Sequence, residues 1–474
     1  MVFYRMIPGT ALGVLVGNLA YTWLAVRLMR ETGRDDVTAM PFGIDTPTLF
    51  AMIFGVLGPV MVATGDPVRA WKVGMAVTVA IGVAKVFLSF AGDVTRRMVP
   101  RAALLGPIGG VAMLLIAFLP SLKLFGDPLV GLVSLVVLFL ALFGGVRMPL
   151  GIPGAFAAVV AGALVYWTRA ALDGGGSHAL ATMGRLGLAI PWPTLAWVDG
   201  LGDALSYLSI ALPFALVTIV GGIDNTESAD AAGDRYGTRS ILMTEAFATI
   251  LAGTCGGVIQ NTPYIGHPAY KAMGARAGYT LATGLAIGVG AAIGALAMLV
   301  GLLPEAAVAP ILVFIGLEIT AQAFLASPPR HGAAVAITFV PVVATVVTLQ
   351  ATGLLAGVGK SAADLVGDAR VTWQTLTILG NGFILSAVLW GTALVAIIDR
   401  RLFTAGLVFA VASVSVLFGL VHSPAPGGAL FWPWRPPGSA PATLAGAYGV
   451  LAGICWLSAV RSKAPTRPMR ETAP

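Results

Sequence analysis

Two stretches decide the fold: Met40-Pro41-Phe42-Gly43-Ile44-Asp45-Thr46-Pro47-Thr48 and Gly257-Val258-Ile259-Gln260-Asn261-Thr262-Pro263-Tyr264. Each sets an isoleucine, one or two polar groups and then Thr-Pro inside an otherwise apolar run. Thr46 and Thr262 are 216 residues apart, as are Pro47 and Pro263. Proline donates no backbone hydrogen bond and disfavours helix at the residue before it. The chain is therefore expected to enter each stretch extended and then start a half-helix. Such a start leaves free N–H groups and a positive dipole end. If the surrounding runs span a bilayer, irregular backbone survives there only where it lines a cavity or is buried in protein. Paired interruptions in two halves of a chain point to a transporter binding site. An ordinary proline kink is the alternative.

Composition supplies the bilayer. Of 474 residues, 57% are hydrophobic and only 10% charged, and the mean hydropathy is +0.90. A soluble domain carries roughly 25% charged residues, so a soluble enzyme is excluded. Disorder needs low hydrophobicity and high charge, and is excluded too. Apolar runs fall near 7–28, 40–64, 70–91, 102–122, 129–145, 152–170, 205–228, 240–258, 259–275, 277–303, 304–326, 333–355, 375–398, 402–421 and 444–460. A spanning helix needs about 20 such residues. The runs are continuous rather than alternating, which speaks against a β-barrel. The 60 glycines and 30 prolines fit close helix packing and interrupted helices. Cys255 and Cys455 give neither a disulfide framework nor metal-ligand spacing.

The net charge of +7 is mostly topological. Arg27, Arg30 and Arg34, then Arg96, Arg97 and Arg101, then Arg235 and Arg239, then Arg400 and Arg401, and finally Arg461, Lys463, Arg467 and Arg470 follow alternate spans. All fall on one side if the N-terminus is outside and the C-terminus cytoplasmic. The expected location is thus the inner membrane, multi-pass, with no nucleic-acid partner. No signal-peptide pattern leads the chain. Applying the 216-residue offset to the seventh run places its repeat partner largely before Met1, so the expectation is that a leading helix is missing or that the gene start is misplaced.

Ionisable groups inside spans are functional candidates by default. The densest cluster ends the seventh run, Gly221-Gly222-Ile223-Asp224-Asn225-Thr226-Glu227-Ser228-Ala229-Asp230. Asp224, Glu227 and Ser228 share a helix face. Neighbouring carboxylates raise each other's proton affinity, which suits coupling to a proton or a cation. The plainer alternative is a solvated helix end, with Asp230 and Asp234 beside Arg235. Gln260 and Asn261 each carry the donors and acceptor that read the edge of a planar amide-containing ring. Asp45 and Thr46 are their counterparts in the first half. His267 titrates near neutrality and is a candidate proton relay, or a neutral histidine bonded to backbone. Lys85, well inside the third span, needs a carboxylate partner, with Asp45 and Asp224 as candidates, unless it snorkels. Glu245 and Glu318 are buried by this reading, as structural or coupling residues. His178, His331 and His422 fall in loops or at span ends.

At these residues the chain resembles the nucleobase–cation symporter group that includes uracil, xanthine, ascorbate and adenine/guanine/hypoxanthine permeases. Pro213-Phe214-Ala215-Leu216-Val217-Thr218-Ile219 leading into the acidic cluster carries the resemblance. So do Ala252-Gly253-Thr254-Cys255-Gly256-Gly257 leading into Gln260-Asn261-Thr262-Pro263-Tyr264, and Asp45-Thr46-Pro47. The likeness is clearest over 205–300, weaker over 7–170 and absent over the last two spans. It implies an all-α polytopic fold of inverted seven-segment repeats, with core and gate domains and short broken segments three and ten. The core would be 1–101 (segments two to four) and 205–303 (segments eight to eleven), and the gate 102–204 and 304–399. Two extra spans and a basic tail fill 400–474. Substrate would lie between the two broken segments and against segment eight, touching Asp45, Thr46, Asp224, Asn225, Gln260, Asn261 and Thr262. Asp224, Glu227 and His267 would couple a proton or Na⁺; no other cofactor is implied. The chain departs from the pattern where uracil permeases place a glutamate, having Gly221-Gly222, and in Gly266-His267-Pro268 after the second strand.

The leading expectation is a secondary transporter of a nucleobase-like heterocycle, coupled to H⁺ or Na⁺, with a homodimer left open. An anion transporter of the same fold is the alternative, since two half-helix N-termini and Lys85 attract negative charge. A membrane-embedded enzyme is remote: no His-Glu-x-x-His, paired-cysteine or Gly-x-Ser-x-Gly pattern appears.

Overall fold

The computed structural model describes residues 1–90, 100–172, 187–264, 267–272, 274–425, 428 and 430–463. The side chains of Asp224 and Glu227 lie outside the described residues, as do Arg96, Arg97, His178, Arg467 and Arg470.

In chain order the elements are α1 (Ile7–Thr32), β1 (Phe42–Ile44), α2 (Thr46–Met52), α3 (Pro67–Phe90), α4 (Arg101–Val111), α5 (Pro128–Leu142) and α6 (Gly154–Leu172). Then follow α7 (Leu208–Ala231), α8 (Thr238–Thr254), β2 (Asn261–Pro263), α9 (His267–Ala272), α10 (Gly278–Ala292), α11 (Ala295–Leu302) and α12 (Glu305–Leu325). The remainder is α13 (Phe339–Gly357), α14 (Gly367–Gly380), α15 (Phe383–Ile398), α16 (Leu402–Leu417) and α17 (Ala440–Lys463). Among the described residues seven helices are long and apolar enough to cross a membrane, and the bent pair α14–α15 makes an eighth. The chain is an all-α polytopic membrane protein, and every apolar run is helical in whole or in part.

Two runs expected to be single spans are broken. The run at 277–303 is cut at Gly294, whose φ of 74° ends α10 and caps α11. The run at 375–398 bends by 71° between α14 and α15. Gly382 turns that corner at φ 70°, and a Cβ there would lie 2.3 Å from the Leu420 carbonyl oxygen. Only glycine tolerates both the conformation and the approach.

The chain packs as two compact units: Met1–Met98 with Ile108–Gln322, and Val99–Pro107 with Ala323–Pro474. In the second, α16 lies against α15 and α17. A buried polar knot fastens them. Trp390 Nε1 donates to the Tyr448 hydroxyl at 2.6 Å, and His422 Nε2 lies 2.8 Å from the same oxygen. His331, at a helix start, meets Asp399 at 2.8 Å.

In the first unit α1 packs against α8 and α10, while α3 packs against α8 and α7. The two proline-bearing stretches meet in the middle of this bundle. β1 and β2 pair antiparallel, with Phe42 opposite Pro263, Gly43 opposite Thr262 and Ile44 opposite Asn261. Asp45 N donates to the Gln260 carbonyl at 3.1 Å, and Tyr264 N to the Pro41 carbonyl at 2.9 Å, extending the ladder at both ends. Backbone groups stripped of helical partners thereby satisfy each other.

The repeat register differs from the one read in sequence. Thr46-Pro47 opens α2, with proline in the first turn, whereas Thr262-Pro263 lies inside β2. The residues that open the second half-helix are His267-Pro268. The counterparts are therefore 221 residues apart, not 216. Proline suits a helix start because its fixed φ matches and its missing N–H would be unpaired there. Two Thr-Pro pairs thus arose in different structural roles.

Candidate functional site

Alternation along a strand sends successive side chains to opposite faces. Phe42, Ile44 and Asn261 turn toward α1. The Phe42 ring meets Tyr21 edge to face at 5.0 Å. The Asn261 amide lies against Gly13, where a Cβ would come within 2.2 Å of its Nδ2. Ile44 borders a cavity of about 720 Å³ with Ala11, Val14, Leu49 and Met52. Thr10 is the one polar residue among the described lining of that cavity. A polar solute finds no set of partners there.

Gly43, Asp45, Gln260 and Thr262 share the other face, toward α7. This face has room: a Cβ on Gly43, or on Gly221 of α7, would meet nothing within 4 Å. Thr46 and Thr262 are half-buried beside it. Asp45 caps α2, its Oδ2 accepting from the Thr48 amide at 3.2 Å, from the Thr48 hydroxyl, and from Gln260 Nε2 at 3.0 Å. Gln260 Nε2 also donates to the Thr48 hydroxyl, and its Oε1 lies 3.4 Å from the Thr218 hydroxyl of α7.

Gln260 is therefore fully buried and committed to joining the two broken segments, while Asn261 is fully buried on the opposite face. The Gln260 amide is taken up by these bonds, and the Asn261 amide, though its Nδ2 and Oδ1 have no hydrogen-bond partner, is closed off on the α1 face. Asn225 is likewise a fastener, its Nδ2 donating to the Pro263 carbonyl at 2.9 Å. From the first repeat Asn18 Nδ2 donates to the Phe42 carbonyl at 3.1 Å, so two asparagines hold the two members of one strand pair.

Lys85 corrects an expectation. It is fully buried and pairs at 2.6 Å with Glu245 of α8 rather than with Asp45; the Asp224 side chain lies outside the described residues. Lys85 Nζ also donates to the Asn261 carbonyl at 3.1 Å. The signal was present in sequence: Lys85 and Glu245 are both ionic residues set within apolar runs, and each needs the other's charge.

His267 is buried at the start of α9, with Nε2 3.1 Å from Asp234 Oδ2. Asp234, read as a solvated neighbour of Arg235, is instead fully buried. Its carboxylate collects Lys271 at 2.6 Å, Arg34 at 3.2 Å and the Thr38 amide at 3.0 Å. Arg34 also pairs with half-exposed Asp36 at 2.7 Å and holds that carboxyl down from 3.8 to about 2. His267 thus belongs to a charged knot that ties the ends of α1 and α7 to α9. Among the described residues no cluster of His, Cys, Asp and Glu suits a metal ion.

No family model matches this sequence, and no curated protein does either. Solved structures similar to it include the transmembrane domain of a cyanobacterium bicarbonate transporter, BicA, at 15% identity and TM-score 0.47, covering 80% of this chain and 97% of that one. SLC26A9 is similar at 12% identity and TM-score 0.49, covering 85% of this chain and 66% of that one. Murine Slc26a9, an anion transporter in the inward-facing state, follows at 13% identity and TM-score 0.41, covering 71% and 63%. The chain thus spans about two thirds of the length of the two SLC26A9 chains.

Proposed function

We propose that this protein is a secondary active transporter that carries a small anion, held at the paired strands against α7. One observation carries the transporter reading. Two interrupted helices from opposite ends of the first unit put extended backbone at the centre of an apolar bundle, where only a buried or cavity-lining role makes such backbone affordable. The core and gate division would supply the motion that exposes this site to either side.

The substrate class follows from which groups remain free. The heterocycle reading rested on the Gln260 and Asn261 amides, and both are occupied or turned away. What faces the open side is backbone, Gly43, Thr262 and two half-helix starts. The start of α2 is neutralised by Asp45; the first turn of α9 has no acidic residue of its own, and the Asp234 carboxylate that meets His267 there is balanced by Lys271 and Arg34. A helix start of that kind favours negative charge.

Exchange in proteoliposomes tests both parts. Labelled chloride, bicarbonate, sulfate and a dicarboxylate are offered beside uracil and xanthine. At least one anion is expected to exchange well above protein-free vesicles, and Gly221→Leu, which fills the open side, is expected to abolish it. Exchange of the bases alone would return the heterocycle. Exchange of nothing would end the transporter reading.

A further inference from the structure

Glu245 and Lys85 are both fully buried, and the pair sits on the backbone of the second strand. Thr249, one turn along α8, strengthens the seat: its hydroxyl donates to the Glu245 carbonyl at 2.8 Å and accepts from Asn261 N at 3.2 Å. The two carboxylate oxygens of Glu245 are unequal. Oε1 accepts from Lys85, whereas Oε2 is buried with no hydrogen-bond partner. It faces α7, 3.0 Å from where a Cβ on Gly222 would stand. The Thr262 hydroxyl is the nearest further donor and makes no close hydrogen bond to it; an ionised oxygen so weakly solvated is costly, and a proton is the smallest partner that relieves it.

The surroundings hold few other charges. From α1, Tyr21 faces this region, its hydroxyl donating to the Ile241 carbonyl at 3.3 Å. Asp45, ahead of α2, acts on Glu245 through its charge. α3 contributes Lys85, and β2 contributes backbone and Thr262. α7 presents Gly222; the Asp224 side chain on that helix lies outside the described residues.

Resting on the anion-carrier reading above, we propose that the Lys85–Glu245 pair is the proton-coupling element of the carrier. With Glu245 ionised, its charge cancels that of Lys85. A proton on Oε2 uncovers the Lys85 ammonium beside the second strand, and the site gains one positive charge. Anion affinity rises, and by linkage a bound anion raises proton affinity by the same factor. One proton and one monovalent anion then cross together without net charge movement.

The test uses the full chain in nanodiscs and two readouts. Infrared difference spectra between alkaline and acid buffer are expected to show a protonated carboxyl band that Glu245→Gln removes. Ligand-dependent thermal stabilisation gives the affinity for chloride and for sulfate. Wild type is expected to bind about tenfold tighter in acid than in alkaline buffer. Glu245→Gln is expected to bind tightly and independently of pH, and Lys85→Met/Glu245→Gln weakly and independently of pH. The double variant leaves neither charge of the pair, so it stands in if the single variant does not fold. A carboxyl band unchanged by either variant, or an affinity that keeps its pH dependence in both, overturns the coupling role while the carrier reading survives. Failure of wild type to bind either anion at any pH ends the anion reading and this proposal with it.

Discussion

At the scale of single residues, Asp234 shows what buried charge does in this bundle. Its carboxylate receives Lys271, Arg34, His267 and the Thr38 amide while itself having no exposed surface. Removing one member of a buried charge group leaves the others unpaired, at a cost of roughly 3–5 kcal/mol. Asp234→Ala is therefore expected to lose stability of about that size in thermal unfolding of the detergent-solubilised protein. Asp36 pairs with the same arginine but keeps nearly half of its side chain in solvent, so Asp36→Ala is expected to cost far less than Asp234→Ala in the same measurement. Equal losses from the two would show that the knot is loose. Sequence reading placed Asp234 beside Arg235 because adjacency was the only contact visible. Its actual partners, Arg34 and Lys271, come from the other repeat and from beyond the second strand. The same limit hid the pairing of Lys85 with Glu245. The need for a partner was legible, but which carboxylate lay near was set by helix packing.

At the scale of elements, the apolar runs and their interruption at proline were legible, since lipid and a missing N–H act locally. The register of the repeat was not, because the same Thr-Pro dipeptide serves in a helix start and inside a strand. Packing of α1 was legible only as glycine abundance. Gly9, Gly13 and Gly17 recur every four residues; the first two face the opposite repeat and Gly17 faces the Phe42 ring of the first strand. A Cβ on Gly9 would lie 2.3 Å from Gly257 N and 2.5 Å from the Cys255 carbonyl oxygen. Those are backbone atoms that cannot swing aside. A Cβ on Gly221 would meet nothing. Gly9→Ala is thus expected to destabilise by roughly 1–3 kcal/mol or prevent folding, as overpacking does, although alanine is otherwise the better helix former. Gly221→Ala is expected to leave the melting temperature unchanged or slightly raised and to alter substrate affinity. A stable Gly9→Ala protein would mean α1 does not approach the second repeat this closely.

At the scale of the molecule, the paired strands join segments more than two hundred residues apart within one compact unit. If solute is carried at a fixed site while other parts move around it, the two strands travel as one body throughout the cycle. Ile44 and Asn261 stand opposite each other between ladder bonds, a position where facing Cβ atoms come within about 4.5–5.5 Å. That is near the separation a disulfide bridges. Cysteines at both positions, with Cys255 and Cys455 replaced by alanine, are expected to crosslink under mild oxidation and leave exchange running. The change spares the backbone of residue 261, to which Lys85 donates, and lies on the face away from α7. Exchange measured before oxidation, after it, and after reduction separates the effect of the bond from that of the substitutions. Reversible loss of exchange on crosslinking would show that the strands part during the cycle. The site would then be remade at each turnover rather than carried whole.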